Sequence, residues 1–172
     1  MIFLENILTK QKPDPPVPLT ERQKAMLICE PFLDEVEGCV LTAYHGKADR
    51  PGVWTIGTGF TTWKGAPVRE GLVITQTEND TELAIALAAR ADVVDRYAPP
   101  GATAHQRAAL YSFAWNEGTH AFQISAIAAR WRGGEIEAAA EHFAEWVYAA
   151  GRRVQGLVNR RAKERALFLT KD

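Results

Sequence analysis

Apolar positions recur at helical spacing along most of the chain and alternate over only one short stretch. From Thr20 onward, Ala25, Ile28, Cys29, Phe32, Leu33 and Val36 fall on one helical stripe, with Thr20 placed to cap it. Pro31 should kink this helix or restart it. Gly38 should stop it, which leaves Glu37 in the last turn. Thr55 to Phe60 alternates instead, with β-branched side chains between glycines, and predicts a strand from Trp54 to Gly59 with Tyr44 in a partner strand. After an irregular connection, Gly65 to Val73, Thr75 and Glu78 form a capping box. It opens a helix whose stripe of Leu83, Ala86, Leu87, Val94 and Tyr97 runs to Pro99. Thr103 and Gln106 form a second box before an apolar helix that ends near Gly118. Shorter helices are predicted from Ser125 to Arg132 and from Glu135 to Trp146, divided by Gly133 and Gly134. In the last helix, Val154 to Leu169, the residues Val154, Leu157, Val158, Ala162, Phe168 and Leu169 trace one face. Arg161 and Arg165 project into that face, so each guanidinium must meet a carboxylate or reach back to water.

These elements predict an α+β, mainly helical architecture. Residues 1–19, with Pro13, Pro15, Pro16 and Pro18, read as an extended arm. Residues 20–172 read as a single domain of two lobes, about 20–75 with a short sheet and about 98–172 all helical, joined by a helix over about 76–97. At 172 residues such a chain buries a sizeable core. A hydrophobic content of 47% with 24% charged residues excludes a disordered chain but no soluble class. The net charge of −1 argues against binding nucleic acid through many phosphates. No stretch is apolar for long enough to span a membrane. Met1 to Lys12 lacks the apolar core of a signal peptide, so the protein is expected to be kept in the cytoplasm. Cys29 and Cys39 read as free thiols, and His105, His120 and His142 have no metal-ligand spacing, so no metal is expected.

Candidate chemistry sits between Glu37 and Thr61, where two carboxylates and a threonine lie among glycines and prolines. A glutamate at a helix C-terminus faces the negative end of the macrodipole, which helps it keep a proton and suits a general acid. Asp49 lies in a Gly- and Pro-containing loop where it can stay ionised, and Thr55, six residues later, offers a hydroxyl to hold a water. An acid, a base and an oriented water suffice to hydrolyse a glycosidic bond with inversion. From spacing alone the competing reading, solvated acidic caps near a turn, is the commoner one. Charge is uneven: Glu30, Asp34, Glu35 and Glu37 precede the stretch, and Arg152, Arg153, Arg160, Arg161, Lys163 and Arg165 cluster near the end. This fits an acidic site facing a basic wall, or two solvated faces.

Longer motifs favour the site. Glu37-Gly38, Ala43-Tyr44 and Trp54-Thr55-Ile56-Gly57-Thr58-Gly59-Phe60-Thr61 resemble the signature of the phage-type lysozymes, the endolysins of glycoside hydrolase family 24. Ser112-Phe113-Ala114-Trp115-Asn116-Glu117-Gly118, Ala121-Phe122 with Ser125, and the closing run from Ala150 to Phe168 are similar to later segments of that family. The resemblance covers about Leu27 to Leu169. It implies a lysozyme-like fold and hydrolysis of the β-1,4 bond between N-acetylmuramic acid and N-acetylglucosamine in peptidoglycan, without cofactor. By the same resemblance Glu37 protonates the leaving oxygen, Asp49 assists the attacking water, and Thr55 orients it. Tyr44, Gly57, Asn116 and Arg161 are implied to bind substrate, with Arg161 matching the arginine the family brings to its glutamate. A monomer acting on peptidoglycan glycan strands, released from the host cytoplasm through a holin-type lesion, is the implied setting.

Two departures bear on the site. In the family the glutamate and aspartate are commonly nine positions apart; nine after Glu37 falls Gly46, whereas Asp49 keeps the six-residue separation from Thr55. Either three residues are inserted in the first loop and Asp49 is the second carboxylate, or the site has lost it. Phe60 stands where the family usually has histidine, so apolar packing must replace a polar contact. His45 reads as a solvated loop residue or a substrate contact, and Tyr44, Trp54 and Trp63 as core or as platforms for sugar rings. Two rival functions share the fold: a non-catalytic peptidoglycan-binding protein and a lytic transglycosylase, which needs the glutamate but no base-held water.

Overall fold

A computed structural model describes residues 17–45 and 52–171. The proline-rich arm up to residue 16 lies outside the described residues, as does the loop 46–51. Seven α-helices and three small antiparallel hairpins follow one another among the described residues.

Helix α1, Glu21–Glu37, begins as expected at Thr20, whose side chain accepts from the Gln23 backbone N–H while Gln23 reaches back to Thr20. It ends as expected at Gly38, where φ is +74° and the N–H bonds the Asp34 carbonyl. Pro31 does not restart the helix, which runs through it. The carbonyl that proline leaves without a partner belongs to Leu27, a residue exposed to water, so the loss falls where solvent compensates it. Strand β1, Val40–Tyr44, pairs with β2, Thr55–Gly57, with Val40 opposite Gly57 and Tyr44 opposite Thr55. The strand expected from Trp54 to Gly59 is therefore shorter than its alternating pattern.

The stretch 65–73 is less irregular than its sequence suggests. β3, Thr62–Trp63, pairs with β4, Ala66–Pro67, across Lys64 and Gly65, which have φ of 47° and 83°. A second hairpin, β5 (Tyr148–Ala149) with β6 (Arg152–Arg153), turns at Ala150 and Gly151 with φ of 48° and 74°. Two consecutive positive φ values mark the turn whose twist suits a tight hairpin, and the glycine supplies the second. Strands of two residues carry no readable alternation, so neither hairpin announces itself in the sequence.

Helix α2, Gln76–Val94, and helix α3, Ala104–Glu117, start at the two expected capping boxes. Thr119–Ile124 forms a short helix α4 that the hydrophobic pattern did not reveal, and α5, Ala126–Arg132, is capped by Ser125. The helix expected from Glu135 to Trp146 is α6, Ile136–Glu141, followed by a 3-10 turn, His142–Glu145. Helix α7 spans Gln155–Phe168.

Apolar side chains gather in two clusters. The larger joins Ala25, Cys29 and Leu33 of α1 to Leu83 and Leu87 of α2 and to the core of α3, with Trp131, Phe143 and Phe168 behind. The smaller, under the β hairpins, holds Ala43, Ile56, Trp63, Val68 and Ile74. Helix α1 thus packs into the helical body, and Phe60 touches both clusters. Its ring meets Trp63 edge-on at 5.6 Å and Trp115 of α3 at 5.5 Å, and Arg90 lies 4.3 Å from the Trp115 ring. That is the apolar packing expected where the family has histidine.

Gly57 is where the backbone leaves no choice. Its φ is +59°, and a Cβ there would lie 2.2 Å from the Asn79 side-chain oxygen. Asn79, fully buried in α2, is itself fixed by bonds to the Thr58 backbone N–H and hydroxyl. Gly57→Ala should therefore lower stability by about 3 kcal/mol, combining a left-handed alanine with the loss of a buried hydrogen bond. Urea unfolding measures this directly, and an unchanged midpoint would contradict it.

Candidate active site

Glu37 closes α1, and three residues later β1 begins, so the helix end and the β1–β2 hairpin share one corner. The Glu37 side chain keeps about a quarter of its surface exposed and accepts a charged hydrogen bond from Arg160 Nη1 on α7. Arg160, only 7% exposed, is fixed from three sides. Its Nε donates to Glu164 Oε1 at 3.0 Å, and its Nη2 donates to the Ser112 carbonyl at 3.2 Å and hydroxyl at 3.1 Å. Glu164, fully buried, also accepts from the Ser112 hydroxyl at 2.7 Å. Burial raises the Glu164 carboxyl above its ordinary value, and Arg161, Arg160 and the Ser112 hydroxyl oppose that rise only in part.

The guanidinium that reaches Glu37 is thus that of Arg160, whereas the sequence pointed to its neighbour. Arg161 turns inward, 1% exposed, with Nε 3.0 Å from Glu164 and Nη1 3.5 Å from Glu117. Its Nη2 donates to Asn116 at 2.7 Å and its head lies 4.9 Å from the Phe113 ring. Burial lowers its pKa, and Glu164, Glu117 and Glu37 oppose that effect. Arg165 is exposed. The inner face of α7 consequently differs from the expected apolar one: Arg160, Arg161 and Glu164 are buried beside Phe168, while Val154 and Ala162 are exposed. Mutual neutralisation with Ser112 and Glu37 makes that polar face compatible with the core.

The remaining expected residues divide. Tyr44 and Thr55 form one rung of the β1–β2 hairpin, Thr55 only 6% exposed. Gly57 is buried against Asn79 and shapes the strand. Asn116, exposed at the end of α3, is held by Arg161. Asp49 lies outside the described residues. At the base of its loop, His45 is exposed, as expected of a solvated loop residue, with its Nδ1 2.8 Å from the Val53 carbonyl and its ring 3.9 Å from that of Trp54. Sequence reasoning did not single out Ser112 and Glu164 as site residues, although both lie in the quoted motifs.

The phage lysozyme family model matches residues 34–164, which contain every one of these groups. The chain is 36% identical over 137 residues to the endolysin of Bacillus phage PZA, covering 80% of this chain and 52% of that one. It thus spans about half the length of that relative. This chain belongs to the phage lysozyme family. A second phage lysozyme relative, the SAR-endolysin of Enterobacteria phage PA-2, is 32% identical over 136 residues, 79% of each chain. Among solved structures, an endolysin from Escherichia coli O157:H7 phage FAHEc1 superposes with a TM-score of 0.74 at 28% identity, over 89% of this chain and 95% of that one. The mainly helical α+β fold is therefore that of the phage lysozymes, and the chain is a peptidoglycan-hydrolysing enzyme. Among the described residues no helix is long and apolar enough to cross a membrane.

Proposed function

We propose that this enzyme hydrolyses the β-1,4 bond between N-acetylmuramic acid and N-acetylglucosamine, with Glu37 as the general acid. The observation that carries the reading is the placement of Glu37. It ends α1 beside the β1–β2 hairpin that bears Thr55, partly open to solvent, with its carboxyl oriented by Arg160. A carboxyl held in one place but still accessible can hand its proton to a leaving glycosidic oxygen. Asp49, supplied from the loop between β1 and β2, and Thr55 position the water that attacks the opposite face of the sugar. Tyr44, Gly57, Asn116 and Arg161 contribute to the substrate side of the site, Gly57 by shaping the strand and Arg161 by holding Asn116.

The reaction moves one proton from Glu37 to the leaving oxygen, and water loses one to the second carboxylate as its oxygen bonds the anomeric carbon. The protein acts as a monomer on glycan strands, and it waits in the host cytoplasm until a holin-type lesion admits it to the wall. Mass spectrometry of digested peptidoglycan tests the bond and the chemistry together. Reducing muramic acid ends are expected. Anhydro-muramic ends would make it a lytic transglycosylase, and an absence of new ends with retained wall binding would make it a binding protein.

A further inference from the structure

Glu164 is fully buried, so no substrate reaches it, yet it binds the same guanidinium as the proposed acid. Arg160 is divided between two carboxylates, with Nη1 toward Glu37 and Nε toward Glu164. Among the described residues, the groups around this cluster come from three helices. Arg160 and Arg161 come from α7, Ser112, Asn116 and Glu117 from α3, and Glu37 and the Cys29 thiol from α1. Lys163 is directed away, 2.8 Å from Glu35. Burial raises the Cys29 thiol far above its ordinary value, so it adds no charge. Among the described residues two guanidinium groups therefore face three carboxylates, Glu37, Glu164 and Glu117. With all five ionised the cluster carries −1, and with a proton on Glu37 it carries zero.

A buried cluster favours the neutral arrangement, because an uncompensated charge away from water is expensive. Glu164 lies 3.0 Å from a nitrogen of each guanidinium and accepts a hydroxyl as well, so two cations face it and oppose the effect of its burial. Among the described residues Glu37 forms an ion pair with Arg160 alone. Were Glu164 uncharged, the positive charge of both arginines would act on Glu37 and draw off the proton the reaction needs. We propose that Glu164 is a positioning residue, the counter-charge that fixes Arg160 and leaves Glu37 free to carry a proton beside a guanidinium. This inference rests on the assignment of Glu37 as general acid.

The pH dependence of kcat/KM on soluble peptidoglycan fragments tests it, because the alkaline limb reports loss of the acid's proton. Glu164→Gln should move that limb to lower pH by about one unit, with about a tenfold loss of activity at pH values above it. Arg161→Gln should move the limb the opposite way, since it removes a cation from the same cluster. A merely structural role would lower activity at every pH without shifting the limb. An unmoved limb in Glu164→Gln, or shifts of the same sign in both variants, overturns the proposal. Carboxyl carbon titration of the unaltered protein by NMR needs neither variant to fold: Glu164 should be charged throughout the pH range in which the enzyme is active, and an uncharged Glu164 there overturns the proposal. Failure of the acid assignment looks different, because Glu37→Gln would then stay active whatever the limb does.

Discussion

Glu37→Gln should reduce turnover by about 10³-fold or more while leaving the fold intact. Glutamine keeps the shape of the side chain and an oxygen for Arg160 to bond, but it has no proton to give to a leaving oxygen. The pair is partly open to water, and Arg160 keeps its bonds to Glu164 and Ser112, so stability should change by no more than about 1 kcal/mol. Binding of glycan fragments should survive, which places the loss in kcat and leaves KM nearly unchanged. Release of reducing ends from purified walls, followed together with the melting temperature, reads both halves of the expectation. Retained turnover would remove Glu37 from the chemistry, and a collapsed melting curve would make its role structural.

The parts of this molecule that were legible in the sequence are those fixed by neighbours in the chain. Thr75 with Glu78 and Thr103 with Gln106 mark the starts of α2 and α3 because a capping box is closed within four residues. Gly38 and Gly118 mark helix ends because both residues take positive φ there. The pairing of Tyr44 with Thr55 was also within reach, since β-branched residues between glycines leave few alternatives. Long-range choices were not legible. Adjacent arginines differ by about 100° around a helix, and the apolar positions of α7 pointed to Arg161. Only the packing of α7 against α1 and α3 shows that its buried face is a charge cluster and that Arg160 serves Glu37. The two-residue hairpins escaped because so few positions carry no period, and the run through Pro31 depended on the exposure of Leu27.

Arg161→Met should cost about 3–5 kcal/mol, whereas Arg165→Met, one turn further along α7, should change stability by no more than about 0.5 kcal/mol. The two side chains look equivalent by helical spacing, but their surroundings differ. Arg161 is buried among Glu164, Glu117 and Asn116, and Arg165 faces solvent. Methionine fills much of the volume against Phe113 and keeps the apolar contact, so the loss comes from charge: Glu164, fully buried, is left with Arg160 as its remaining ion-pair partner. For a chain of this length the loss corresponds to a melting temperature lower by about 10 °C. Adding Glu164→Leu to Arg161→Met should cost less than the sum of the two single changes, because the second removes the carboxylate the first left exposed to its own desolvation. Additive losses would mean that the two residues do not act as a pair, and the buried face of α7 would then owe its stability to packing alone.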